Sequence, residues 1–172
     1  MRKLLFIALI AMLIPSLGFG QGEAWTTYSS NPGHFSVSFP GTPQESVEYD
    51  SSGPSILAIH LINYEVGERG ILMAGWTDFS KTNLGGKTVK AILEDSRDGA
   101  MGSMKATNIV TTTTVLTGEA YIEFTFKTEG YVGKERIYYV GNIQYSVITL
   151  FTTAADLDAY ADKFLHSYRH IQ

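Results

Sequence analysis

Three extended stretches of this chain carry apolar side chains on alternating and on intervening positions alike, and nothing else in the sequence constrains the fold as much. From Ser55 to Val66, Leu57, Ile59 and Leu61 alternate with Ile56, Ala58 and Ile62; from Ile71 to Asp78, Leu72, Ala74 and Trp76 alternate with Ile71 and Met73. From Ile143 to Thr152, Tyr145, Val147 and Phe151 alternate with Ile148 and Leu150. A strand with one wet face alternates apolar with polar, so strands of this kind belong to a sheet covered on both sides. The 55–66 run reads as a central strand. The chain has no cysteine, so packing alone must hold those covers in place.

The remaining segments supply the covers. Phe35-Ser36-Val37-Ser38-Phe39 alternates with period two, Pro40-Gly41-Thr42-Pro43 interrupts it, and Gln44 to Tyr49 resumes, which reads as an N-terminal hairpin. Asp50-Ser51-Ser52-Gly53-Pro54 and Gly67-Glu68-Arg69-Gly70 are turn compositions. Helical spacing appears twice. Val89, Ile92, Leu93, Ser96 and Ala100 make a stripe from Thr88 to about Ala100. Leu157, Tyr160, Ala161, Phe164, Leu165, Tyr168 and Ile171 make another, opened by the capping box Thr153-Ala154-Ala155-Asp156 and running to the terminus. Between the helices lie extended runs at Lys105 to Leu116, Gly118 to Thr128 and Lys134 to Val140. In the second of these Ile122, Phe124 and Phe126 are expected inside and Glu123, Thr125 and Lys127 outside. Gly141-Asn142 is a two-residue hairpin signal. Strands and helices do not alternate as in a parallel α/β fold, so the class is α+β: an antiparallel β-sheet with an N-terminal hairpin and two main α-helices packed across it.

Arg2 and Lys3, the apolar run Leu4 to Ile14, and the small residues Gly18 and Gly20 have the layout of a secretory signal peptide, with cleavage expected after Gly20. Eleven apolar residues are too few for a membrane span, which needs about 20. Residues 21–172 are then one domain, soluble in a periplasm or outside the cell, without stable membrane insertion after cleavage. The whole chain carries 13 Lys+Arg against 17 Asp+Glu, a net charge of −4, and losing Arg2 and Lys3 makes it more acidic still. An acidic chain with scattered cations repels phosphate backbones, so nucleic acid is not an expected partner.

A further pattern emerges from Trp25 through Tyr28, the Phe35-Ser36-Val37-Ser38-Phe39-Pro40 strand ending in proline, the long meander, and the closing Phe164-Leu165-x-Ser167-Tyr168 helix. Together these resemble the PsbP-like superfamily, which includes the extrinsic subunit of photosystem II, a nuclear-transport GTPase-binding factor and many exported bacterial proteins. The resemblance covers nearly all of residues 21–172. It implies an antiparallel sheet with helices packed across it and a noncatalytic binding or accessory role. No residue-level functional motif of the superfamily carries over, and neither does its photosynthetic role.

The chemistry legible in the residues is sparse. Gly86-Lys87-Thr88 ends like a phosphate-binding loop, but the glycine such a loop needs at position 81 is Lys81, and a turn with Thr88 capping the next helix accounts for it. His166 and His170, four apart on the last helix, could share a metal ion, although a pair is a weak ligand set and both complement the negative end of the helix dipole. His34 adjoins the first strand, and His60 is expected buried in an apolar strand. There is no Gly-x-Ser-x-Gly elbow, no thiol and no marked carboxylate pair, so neither a catalytic residue nor a cofactor is expected. Ten tyrosines remain, and Tyr131, Tyr138, Tyr139 and Tyr145 are weak candidates for a partner-binding surface, against the plainer reading of sheet packing. The expected function is an exported noncatalytic binding domain that recognises another envelope protein. The alternative is a carrier holding a small apolar ligand between sheet and helix.

Overall fold

The computed structural model describes residues 24–51 and 56–171. The segment 1–20, read above as a signal peptide, and residues 52–54 of the first turn lie outside them. Ten strands and two α-helices follow in the order β1 (Thr26–Ser30), β2 (Phe35–Phe39), β3 (Gln44–Asp50), β4 (Leu57–Glu65), β5 (Gly70–Asp78), α1 (Val89–Ser103), β6 (Thr107–Val115), β7 (Ala120–Thr128), β8 (Tyr131–Val140), β9 (Ile143–Phe151), α2 (Ala154–Ser167) and β10 (Arg169–His170). Seven strands form one sheet in the order β3-β4-β5-β9-β8-β7-β6, and β1-β2-β10 form a second. Every pairing is antiparallel, as the α+β reading requires.

Both faces of the large sheet are covered, by different elements. On one face α2 and the small sheet bury Phe35, Val37, Phe39, Leu72, Ala74, Val147, Phe151, Phe164 and Leu165. On the other, α1 buries Ile92, Leu93 and Met101 against Ile122, Phe124, Phe126, Ile137 and Ile148. Phe35, Phe39, Phe151 and Phe164 are each 0% exposed, and burying a side chain of that size contributes roughly 2–3 kcal/mol. Both helices start where their residues direct. The Thr88 hydroxyl accepts the Ala91 amide at 3.3 Å and the Thr153 hydroxyl accepts the Asp156 amide at 3.1 Å, each satisfying one orphan amide of a first turn. At the β8–β9 hairpin Val140 faces Ile143 and Gly141 sits at φ 63, the left-handed conformation that favours glycine.

Four expectations are corrected. The N-terminal hairpin joins β1 to β2, with Tyr28 opposite Val37. The chain from Pro40 to Pro43 instead carries it from the small sheet to β3, which pairs with β4. Period-two patterning marks a strand without naming its partner. Second, β4 is next to the sheet edge and only Ile62 in it is buried; apolar residues on both faces report layers above and below, not lateral position. Third, α2 stops at Ser167, and Arg169 and His170 extend alongside Ser36 and Phe35. The Ser167 hydroxyl accepts the Ser38 amide at 2.9 Å while donating to the Phe164 carbonyl at 2.7 Å, tying the helix end to β2. Fourth, Glu123 is not outside but 7% exposed, because its carboxylate meets two cations from β8.

Candidate functional site

Strand register lines up one transverse row on the face shared with α2 and the small sheet. Val47, His60, Trp76, Tyr145, Tyr138, Tyr121 and Val115 are successive cross-strand partners from β3 to β6, so five consecutive strands contribute a ring to one line. His60 lies flat on Trp76 with centroids 4.0 Å apart and planes within 2°. Tyr121 and Tyr138 meet at 5.4 Å. The small sheet and the end of α2 cross the middle of the row: Phe35 stands edge-on to Tyr145 at 5.9 Å, Tyr168 stacks on Tyr138 at 4.4 Å, and His170 meets Tyr145 edge-on at 5.6 Å. Either end of the row remains open.

The β7–β8 end opens into a groove of about 340 Å³ lined by Glu119, Tyr121, Arg136, Tyr138, His166, Tyr168, Arg169 and His170. Arg136 organises it. Its guanidinium donates to Glu123 through Nε at 2.8 Å and again through Nη2, while Nη1 donates to the Tyr138 hydroxyl at 3.1 Å. The same cation lies 4.9 Å above the Tyr121 ring, a contact worth about 0.5–2 kcal/mol depending on its desolvation. Glu123 also receives Lys134 at 3.2 Å. Burial pushes the Glu123 carboxyl up, but Arg136 and Lys134 outweigh it and the net shift is downward. Burial likewise opposes the charge on Arg136, and its bonds to Tyr138 and Glu123 reverse the sign.

Beneath the groove the tyrosine hydroxyls are far from titrating near neutrality. Burial raises Tyr138 and raises Tyr145 to about 12, with Glu119 adding to the latter, and it raises Tyr168 further. Three buried polar atoms here have no hydrogen-bond partner among the described residues: the hydroxyls of Tyr145 and Tyr168, and Nδ1 of His170. An unpaired buried polar group costs about 1–3 kcal/mol, and these three belong to rings in mutual contact, Tyr168 and His170 each meeting Tyr145.

The sequence-derived candidates are distributed unevenly over this geometry. His166 lies in the last turn of α2 and is exposed, His170 is on β10 and half-buried, and the two line one groove from different elements rather than from one helix. Among the described residues no group of three or more His, Asp or Glu side chains is arranged to hold a metal ion. Tyr138 and Tyr145 are 5% and 0% exposed and belong to the core under α2, whereas Tyr139 is buried on the α1 face and Tyr131 is exposed at the opposite end of β8. The four do not form a common surface. His34 sits at φ 53 in the β1–β2 turn, and His60 is half-buried, its imidazole stacked on Trp76.

Arg136, Glu119 and Tyr121 escaped the sequence reading. A signal did exist: Lys134-Glu135-Arg136 puts three consecutive charges in a strand whose two faces are both covered, so at least one must be buried. It is Glu135, 3% exposed on the α1 face. Ser146 donates to its Oε1 at 2.5 Å, Oε2 has no partner among the described residues, and burial pushes its carboxyl up to about 7.

No family model matches this chain, and neither does any curated protein. Among solved structures, that of cyanobacterial PsbP from Synechocystis sp. PCC 6803 is similar, with 14% identity over 91% of this chain and 98% of that one and a TM-score of 0.48.

Proposed function

We propose that this chain is an exported, noncatalytic binding module that recognises another envelope protein through the groove at the β7–β8 end of the large sheet. The observation that carries the reading is the meeting, in one groove, of the aromatic walls Tyr121, Tyr138 and Tyr168 with the guanidinium groups of Arg136 and Arg169. Tyrosine and arginine are the residues that dominate protein interfaces, because they bury large area and still present a polar tip or fork. With Arg136 already paired to Glu123, Arg169 and the imidazoles of His166 and His170 beside the single lining acid Glu119 favour a partner segment that brings a hydrogen-bond acceptor such as a carboxylate together with an apolar side chain. Tyrosine hydroxyls held well above neutral pH serve as fixed hydrogen-bonding groups rather than proton carriers. Among the described residues no helix is long and apolar enough to cross a membrane; export itself rests on the leader-like first twenty residues.

The carrier reading has less support. Between sheet and α2, Phe39 and Phe164 meet at 5.1 Å and Phe151 and Tyr160 at 5.2 Å, so that space is filled with rings. A crosslinked pull-down from native envelope should recover a stoichiometric partner with the wild-type chain and lose it with Arg169→Glu or Tyr121→Ala. Capture of nothing, or equal capture by both variants once their folding is verified, would sink the proposal.

A further inference from the structure

The other end of the aromatic row has a different chemistry. Here a cleft of about 570 Å³ opens between β1 and β3, with His60 and Trp76 in its lining beside Tyr28, Ser29, Asn31 and Glu45. A second groove of about 250 Å³ shares His60 and Trp76 and continues to Asp78, Lys81 and Thr82. The His60–Trp76 stack is therefore a ridge common to both. Its position is tightly determined: a Cβ added at Gly33 would lie 2.7 Å from the indole Cδ1 and Nε1 of Trp76, so the β1–β2 turn presses on the indole while His60 lies flat against it. In the second groove the Thr82 hydroxyl is buried without a hydrogen-bond partner among the described residues.

These linings exclude more than they admit. The larger cleft contains no lysine or arginine and carries the Glu45 carboxylate, while in the second groove Lys81 is matched by Asp78. A phosphate-bearing or otherwise anionic ligand would find no unbalanced cation. The hydroxyls and amide at Ser29, Asn31 and Thr82, and the Tyr28–Glu45 contact, in which burial followed by the Glu45 carboxylate raises the tyrosine, are interspersed with Val47, Leu61, Ile62 and Leu57, so the walls are mixed rather than uniformly apolar as an acyl chain would need. What remains is a ligand with flat C–H faces for an aromatic ridge and a girdle of neutral hydroxyls for polar walls. We propose that the paired grooves on either side of the His60–Trp76 stack bind a neutral oligosaccharide, one sugar ring to each groove. The combined space falls in the range of about 300–1,000 Å³ usual for small-ligand sites, and a ridge already immobilised by Gly33 binds without the cost of ordering it. This site is separate from the partner groove, at the opposite end of the row, and stands or falls independently of it.

Trp25 and Trp76 are the two tryptophans of the chain, so in a Trp25→Phe background indole emission reports on Trp76. Titration with cellobiose, N,N′-diacetylchitobiose and maltose should give a saturable emission change with at least one of them at millimolar concentration, and His60→Ala should weaken that binding tenfold or more, about 1.4 kcal/mol. Saturation-transfer NMR on the unaltered chain supplies a second readout, in which the bound disaccharide should receive magnetisation from aromatic protons. Absence of both signals with all three sugars would overturn the proposal. So would binding that persists undiminished in folded His60→Ala and Thr82→Val proteins.

Discussion

Glu123 and Glu135 lie on neighbouring strands and on opposite faces of the same sheet, and their environments move them in opposite directions. Glu135 is raised to about 7 from 4.5, so between those values the folded state holds a proton that the unfolded state has released. Stability must then fall as pH rises through that window and level off above it. Replacing Glu135 by Gln keeps an acceptor for Ser146 and removes the ionisation. Denaturant unfolding should show the variant more stable at pH 8, by on the order of 3 kcal/mol, and nearly equal to wild type at pH 4.5. An unchanged pH slope in Glu135→Gln would refute the assignment. Glu123 has the reverse sign: its folded pKa is lowered, so its contribution is present above the unfolded value and is lost as pH falls through the folded one. Arg136→Ala would leave that carboxylate buried with only Lys134 and the Thr112 hydroxyl, both on Oε1, and urea titration at neutral pH should register a loss of about 3–5 kcal/mol. At this scale the cap residues Thr88 and Thr153 were readable, because a cap is a local hydrogen bond three residues long. Which of Lys134, Glu135 and Arg136 faces inward was not, since the answer depends on which layer covers which face.

Elements obey local pattern until another element competes for the same backbone. The apolar spacing of α2 runs on through Tyr168 and Ile171, yet the chain leaves the helix at Ser167, because Arg169 and His170 gain ladder bonds to β2 and Tyr168 reaches the same core from an extended backbone. Glycine positions separate the local from the long-range contribution. Gly99 lies inside α1 with nothing near a would-be Cβ, so Gly99→Ala should stabilise by about 0.8–1 kcal/mol through helix propensity alone. Gly70 opens β5, and a Cβ there would fall 2.1 Å from the Leu150 carbonyl oxygen and 2.9 Å from the Phe151 Cα. That is backbone, which cannot swing aside, so Gly70→Ala should cost about 1–3 kcal/mol as the β5–β9 pairing shifts. Urea midpoints of the two alanine variants moving in the same direction would contradict this distinction.

The whole molecule depends on how the small sheet is fastened across the large one. Phe35 is the hinge of that arrangement: fully buried on β2, it contacts Tyr28 in its own sheet, Tyr145 in the large sheet and Tyr168 beyond α2. Phe35→Ala should lose about 3–5 kcal/mol, the usual effect of emptying a phenylalanine site. Thermal unfolding followed by tyrosine fluorescence would check it, and a loss below about 1 kcal/mol would mean that the small sheet is not integral to the core. The two edges of the large sheet also differ in kind. β6 is interrupted by two register shifts against β7, while β3 pairs with β4 residue for residue from Gln44 to Asp50. Bulges bend an edge away from further pairing, and β3 is protected instead by its charges Glu45, Glu48 and Asp50.

Side-chain order along the chain was sufficient for the class of fold, the two helix starts, the β8–β9 turn and the demand that both sheet faces be covered, because each follows from spacing within a few residues or from the burial an apolar pattern enforces. Tertiary structure decided which strands became neighbours, and with that the aromatic row, the Arg136–Glu123 pair and the two grooves. Rings drawn from five strands between His60 and Tyr145 fall into line only once register is set between segments distant in sequence, and register between distant strands is an outcome of packing that no local pattern encodes.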